Sequence, residues 1–217
     1  QELQHLRALY KTSLQAQEKK LLVCAGTGCV SSGSLEIFDK LNNLIESRRI
    51  PCSLSLELEP HEGTVGLKKS GCHGFCEMGP LIRIEPQGWL YTKVRLEDCE
   101  EIVDATITNG QLLERLVYRQ DGVSYARQED IPFYRKQTRV VLDHCGHIDA
   151  NSLEEYLGSG GYAALERALF DMTADDIVDE VSASSLRGRG GGGFPTGRKW
   201  AQVKCQKSFP KYIVCNG

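Results

Sequence analysis

Four cysteines in two tight pairs constrain this chain more than any other feature. Cys24 and Cys29 are spaced C-x4-C, Cys72 and Cys76 are spaced C-x3-C, and 42 residues separate the pairs. The first pair reads Cys24-Ala-Gly-Thr-Gly-Cys29 and the second Cys72-His-Gly-Phe-Cys76. Two loops carrying two thiols each can enclose a small iron–sulfur centre, because four cysteine thiolates are the ligand set of a [2Fe–2S] cluster. Each pair would hold one iron, and the fold need only bring the loops together. Structural zinc is the rival reading: it uses C-x2-4-C knuckles closed tetrahedrally, and these spacings do not exclude it. No C-x-x-C occurs, so a thioredoxin-type dithiol motif is absent. His73 lies between two of the thiols, but the first loop has no matching histidine. It reads as a supporting or exposed residue rather than a ligand.

Composition narrows the class. A length of 217 residues allows one or two domains. A net charge of −3 implies neither nucleic acid nor an anionic membrane as partner. No apolar run approaches the roughly 20 residues of a spanning helix. The stretch Gln1 to Lys20 is polar and lacks the core of a signal peptide. Nine cysteines is an odd number, which favours reduced thiols or metal binding in a cytoplasmic setting over a disulfide framework. Cys52, Cys99, Cys145, Cys205 and Cys215 read as packing thiols.

The pattern along the chain is helix, strand, helix, strand, cysteine loop, hairpin, helix. Leu3, Leu6, Leu9, Tyr10 and Leu14 predict a helix over 1–18, and Leu21 to Cys24 a short strand. Ser31, Ser32 and Ser34 offer caps for a helix carrying Leu35, Phe38, Leu41, Leu44 and Ile45. Ser53 to Glu59 alternates as a half-buried strand, and Leu81–Ile84 with Trp89–Val94 reads as a hairpin. Leu96 to Thr108 reads as a helix. This order predicts a thioredoxin-like α/β domain over residues 1–110. Residues 111–140 read as a polar connector, and Arg139 to Asp143 as a short strand. Over 141–217, Ser152 and Thr173 open helices, a further helix starts near Pro195, and Lys211 to Cys215 reads as a strand. A strand running into Asn216-Gly217 suggests a second domain cut short, so the chain is expected to be a fragment.

The run Arg187-Gly-Arg-Gly-Gly-Gly-Gly193 carries the second signal. Its G-x-G-x-x-G match lacks the preceding strand of a dinucleotide fingerprint. It is no P-loop either, since Arg198 and Lys199 stand where Lys and Ser/Thr belong. Glycines permit close backbone approach to a ligand, and a helix start flanked by Arg187, Arg189, Arg198 and Lys199 favours an anion such as phosphate. Phe194, Pro195 and Trp200 are poor linker residues.

The stretch Arg187-Gly-Arg-Gly-Gly-Gly-Gly-Phe-Pro-Thr-Gly-Arg-Lys-Trp200 resembles the nucleotide-site loop of NADH-oxidising flavoprotein subunits of the respiratory complex I type, with Gly192 where that loop usually has Ala. The same subunit type occurs in NAD-linked hydrogenases and formate dehydrogenases. The four cysteines resemble a thioredoxin-like [2Fe–2S] domain. Both on one chain resemble the β subunit of multimeric, electron-bifurcating [FeFe]-hydrogenases. The resemblance implies an α/β fold, a [2Fe–2S] domain followed by the start of an FMN/NADH-binding domain. It implies that Cys24, Cys29, Cys72 and Cys76 ligate the cluster. Gly188, Arg189, Gly190, Gly191, Lys199 and Asn216 would contact FMN, and Phe194 would stack on the adenine side of NAD(H). A [4Fe–4S] site is expected beyond residue 217. The implied partners are a hydrogenase catalytic subunit, a small [2Fe–2S] subunit and ferredoxin. A formate dehydrogenase or quinone reductase is the alternative assembly, and a zinc-stabilised interaction module the alternative of another class. No residue need act as a general acid or base.

Overall fold

A computed structural model describes residues 2–17, 19–58, 63–212 and 214. The chain divides into two compact units, Gln1–Gly161 and Tyr162–Gly217.

The first unit is built on a five-stranded mixed sheet. Helix α1 spans Glu2–Ala16 and strand β1 Lys19–Cys24. A short helix α2 (Thr27–Ser31) and helix α3 (Ser34–Ser47) follow. The cap of α3 is Gly33 in the left-handed region (φ 91°), not a serine side chain, so the expected serine caps are not used. Strands β2 (Cys52–Ser53), β3 (Val65–Ser70), β4 (Ile82–Glu85) and β5 (Trp89–Tyr91) complete the sheet in the order β2-β3-β1-β4-β5. β1 and β3 run parallel across the α3 crossover, and β4 and β5 form the antiparallel hairpin. A βαβ unit followed by an antiparallel hairpin and a helix is the thioredoxin-like arrangement, as the alternation of the sequence predicted. The core joins Leu21, Val23 and Leu67 of the sheet to Ile37, Leu41 and Ile45 of α3 and to Ile102 and Val103.

Three local expectations give way. The strand over 53–59 is reduced to two residues, because Leu54 and Leu58 point to solvent and only Leu56 is buried; Glu59 lies outside the described residues. The helix over 96–108 is a 3₁₀ turn (Leu96–Asp98), one α turn α4 (Cys99–Glu101) and a π-helical stretch (Ile102–Thr108). Arg139 to Asp143 forms no strand: Val140 and Val141 are exposed and make no ladder.

Residues 111–161 pack on the sheet rather than lead away from it. Leu113, Leu116 and Val117 are buried in the main core. A hairpin of β6 (Tyr118–Gln120) and β7 (Val123–Tyr125) follows, with isolated bridges Tyr91↔Val117 and Trp89↔Arg127 tying the segment to β5. Helix α5 (Pro132–Arg135) buries Tyr134. Helix α6 (Leu153–Gly158) is capped by Ser152 Oγ and lies against α1, where a Cβ on Gly158 would stand 2.9 Å from the Tyr10 carbonyl oxygen. Its Glu155 meets Lys68 Nζ of β3 at 3.3 Å, with both side chains almost fully buried.

The second unit holds helices α7 (Ala163–Phe170), α8 (Ala174–Ala183) and α9 (Thr196–Lys204). A capping box joins Thr173 and Asp176 at the start of α8. Gly197 lets α9 approach α8, since a Cβ there would lie 2.7 Å from Ser182 Cα. The expected strand Lys211–Cys215 lies partly, and Asn216, expected to contact the flavin, lies wholly, outside the described residues.

Candidate cysteine and glycine-loop sites

Strand register brings the two cysteine loops together. In the parallel pair β1 and β3, Cys24 lies opposite Ser70, so the loops after both strands leave the same end of the sheet. The Ala25 N–H donates to the Ser70 carbonyl (2.9 Å) and the Cys24 N–H to the Leu81 carbonyl (3.0 Å). These bonds fix the first loop against the second and against the start of the hairpin. Cys29 then enters from α2.

Glycines make the approach possible. A Cβ on Gly26 would stand 2.9 Å from Cys72 Sγ, one on Gly28 3.2 Å from Cys76 Sγ, and one on Gly79 2.8 Å from Cys29 Sγ. Each loop therefore presents bare backbone to the sulfurs of the other. The C-A-G-T-G-C spelling was the visible signal for Gly26 and Gly28.

The site is asymmetric in exposure. Cys24 and Cys29 are buried in a pocket with Leu81, Leu90, Ile131 and Tyr134, while Cys72 and Cys76 are exposed. The Cys29 thiol donates to Cys24 and, against the opposing effect of burial, helps hold the Cys24 thiol down to about 6; the His73 and Gly26 N–H groups and the Cys72 thiol add to this. The same bond, with burial, pushes Cys29 up, and burial raises Cys72. Among the described residues, no three His, Cys, Asp or Glu side chains surround one metal-ion position.

His73 is fully buried and its ring is committed elsewhere. Nε2 lies 2.9 Å from Ser70 Oγ and Nδ1 3.2 Å from Gln128 Oε1, which also accepts from Arg83 Nη1 at 3.0 Å. Burial pulls His73 down to about 4, keeping the ring neutral. The His73 carbonyl accepts from Tyr134 Oη (3.1 Å) and Arg139 Nη2 (2.7 Å). Nothing local in the sequence marks Gln128, Tyr134 or Arg139; they reach the site only through the fold.

In the second unit the glycine run is closed at its base. The Gly188 N–H donates to the Phe194 carbonyl and the Thr196 N–H to the Leu186 carbonyl, each at 2.9 Å, and Arg187 bridges Pro195. Gly191 and Gly193 sit at φ 101° and 58°. Cβ atoms on Gly190, Gly191, Gly192 or Gly193 would meet nothing within 4 Å. Arg189, Phe194 and Lys199 are exposed, with Lys199 in the first turn of α9 and the Arg198 guanidinium 5.9 Å from the Phe194 ring centroid. The loop brings Gly188, Arg189, Gly190, Gly191, Phe194 and Lys199 onto one short segment at a helix start.

No family model matches the chain. Over 82 residues, 38% of this chain, it is 46% identical to the NADP-reducing hydrogenase subunit HndC of Solidesulfovibrio fructosivorans. Over 77 residues, 36% of this chain, it is 53% identical to the NADH-quinone oxidoreductase F subunit of Aquifex aeolicus. The matches span 16% and 18% of those relatives' own lengths. A thioredoxin-like [2Fe-2S] ferredoxin from Aquifex aeolicus, solved by crystallography, aligns with 48% of this chain and all of its own, at 29% identity and a TM-score of 0.37. Over part of its length, the chain is a homologue of the F subunits of NADH-quinone oxidoreductases and of the HndC subunit of an NADP-reducing hydrogenase.

Proposed function

We propose that this chain belongs to an NAD(H)-dependent oxidoreductase subunit of the diaphorase type. Cys24, Cys29, Cys72 and Cys76 hold a [2Fe–2S] centre, and Gly188, Arg189, Gly190, Gly191, Lys199 and Asn216 receive FMN, with Phe194 on the adenine side of the nicotinamide nucleotide. In this division residues 1–110 form the cluster domain, 111–140 are a connecting segment packed against its sheet, and the nucleotide-binding domain begins within 141–217. One observation carries the reading: the two cysteine loops approach each other through glycine backbone, with Gly26 and Gly28 against the Cys72 and Cys76 sulfurs and Gly79 against the Cys29 sulfur. An all-sulfur donor set fits an iron–sulfur centre. When bound, a flavin splits a hydride's two electrons and iron–sulfur centres carry them singly. The chain's own task is holding and shielding: apolar residues screen Cys24 and Cys29, and exposed Cys72 and Cys76 face solvent. Similarity to HndC and to the F subunits supports a diaphorase module in a multisubunit complex. We infer a hydrogenase assembly with a further [4Fe–4S] centre, ferredoxin as a second electron partner, and bifurcation between the two.

Iron, zinc and acid-labile sulfide in anaerobically purified protein test the reading. Iron and sulfide in equal amounts are expected; zinc without sulfide refutes it. Cys24→Ser and Cys76→Ser bleach the centre, while Cys52→Ser leaves it coloured.

A further inference from the structure

We propose that Tyr134 and Arg139 form a clamp on the Cys72–Cys76 loop, positioning its thiols and setting a positive charge beside the centre they hold. The proposal rests on the reading that these thiols carry a [2Fe–2S] cluster.

The loop is held in place from outside the cysteine pairs. The His73 carbonyl, next to Cys72, takes two donors, Tyr134 Oη and Arg139 Nη2. The Gly71 N–H donates to the Ile148 carbonyl at 3.2 Å, and the His73 ring leans on Gln128. All four partners lie between residues 128 and 148, beyond the thioredoxin-like sheet. The carbonyl of His73 matters because Cys72 directly precedes it and its ring lies 2.9 Å from Ser70, the residue opposite Cys24 in the sheet. Fixing that residue fixes the distance between the two thiol pairs.

The two clamp residues are built differently. Tyr134 is buried in the apolar wall that also encloses Cys24 and Cys29. Burial keeps its phenol protonated, so it remains a donor. Arg139 is half-buried, lies 5.1 Å from the Tyr134 ring centroid, and reaches the Cys145 carbonyl with Nη1 at 3.4 Å. Among the described residues no carboxylate pairs with it. Its charge lies close to the loop without a directly paired carboxylate, where a centre that gains an electron becomes more negative and is favoured by a nearby cation.

The test uses the full chain with three substitutions. A redox titration followed by electron paramagnetic resonance adds one electron from dithionite to the oxidised centre and removes it with an oxidising mediator, with no bond made or broken. Arg139→Gln is expected to weaken the hold on that electron about tenfold, which is about 59 mV for a one-electron couple. Arg139→Lys keeps most of the potential. Tyr134→Phe leaves the potential near wild type but releases iron to a chelator roughly fivefold faster, the size of one lost buried hydrogen bond. Unchanged potential and unchanged release in all three variants overturn the clamp. Zinc in the wild-type protein would overturn the cluster reading instead, and the rate at which Tyr134→Phe gives up that zinc, faster or unchanged, still decides for or against the clamp.

Discussion

Replacing Glu155 by Gln should be costly at neutral pH and much less costly at pH 9. Lys68 and Glu155 have side-chain exposures of 1% and 3%, and their 3.3 Å approach is an ion pair rather than a well-aligned hydrogen bond. Removing one member of such a pair strands the other as a buried charge, a loss of about 3–5 kcal/mol. Gln is the clean probe, because its amide oxygen can still accept the Asp149 N–H that Glu155 Oε2 accepts at 2.8 Å. The loss has a ceiling, since the stranded ammonium can release its proton. From an unfolded lysine value of about 10.4, at about 1.36 kcal/mol per unit, the ceiling is about 4.6 kcal/mol at pH 7 and about 1.9 kcal/mol at pH 9. Burial already pulls Lys68 below its ordinary value, against the pull of Glu155 in the other direction. The sign follows from proton binding: a lysine depressed in the folded state binds fewer protons there than in the unfolded chain, so stability rises with pH above the folded value. The assay is guanidinium unfolding at pH 7 and pH 9, followed by Trp89 fluorescence in a Trp200→Phe background so that only the first unit is read. Lys68→Met combined with Glu155→Gln should lie within about 1–2 kcal/mol of the parent. A Glu155→Gln loss below about 1 kcal/mol at pH 7, or one that does not shrink by pH 9, would refute the argument.

Two further outcomes test the sites. Gly26→Ala keeps an ordinary extended backbone, φ −66° and ψ 149°, but puts a methyl 2.9 Å from Cys72 Sγ; iron content per chain should fall by more than half while circular dichroism is unchanged. Gly190→Ala adds a methyl into open space, so in the complete protein a loss of FMN without a loss of thermal stability would mark direct contact with the flavin, and full FMN occupancy would count against the placement.

The sheet was legible because its strands carry short apolar runs and its crossover helix repeats Leu and Ile at helical spacing. The pairing of the cysteine loops was legible because both cysteine pairs are closely spaced and lie in loops at strand ends. What escaped was long-range. Tyr134 and Arg139 sit in a polar stretch with no periodicity, and their role appears only when Ile131 and Tyr134 pack beside Cys24 and Cys29. The segment 111–140 looked like a connector because Leu113, Leu116 and Val117 are too few and too irregularly spaced to announce a buried face. Leu54, Leu56 and Leu58 misled in the opposite sense, since alternation alone does not supply a neighbouring strand to pair with. Arg139 to Asp143 failed likewise: a run of β-branched residues without a partner edge remains a turn.

The parallel register of β1 and β3 also dictates an order of assembly. In an unfolded chain Cys24 can find Cys29, and Cys72 can find Cys76, because each loop is short and cheap to close. The two halves meet only once α3 has crossed over and Cys24 stands opposite Ser70. A newly made chain therefore offers two separate dithiols before it offers one four-sulfur nest. If the four thiols hold the proposed cluster, metal arriving before the crossover would find only half-sites, and metal arriving after it the complete ligand set. On that reading, loading would act as a checkpoint on folding, open only to a chain that has joined its first strand to its third.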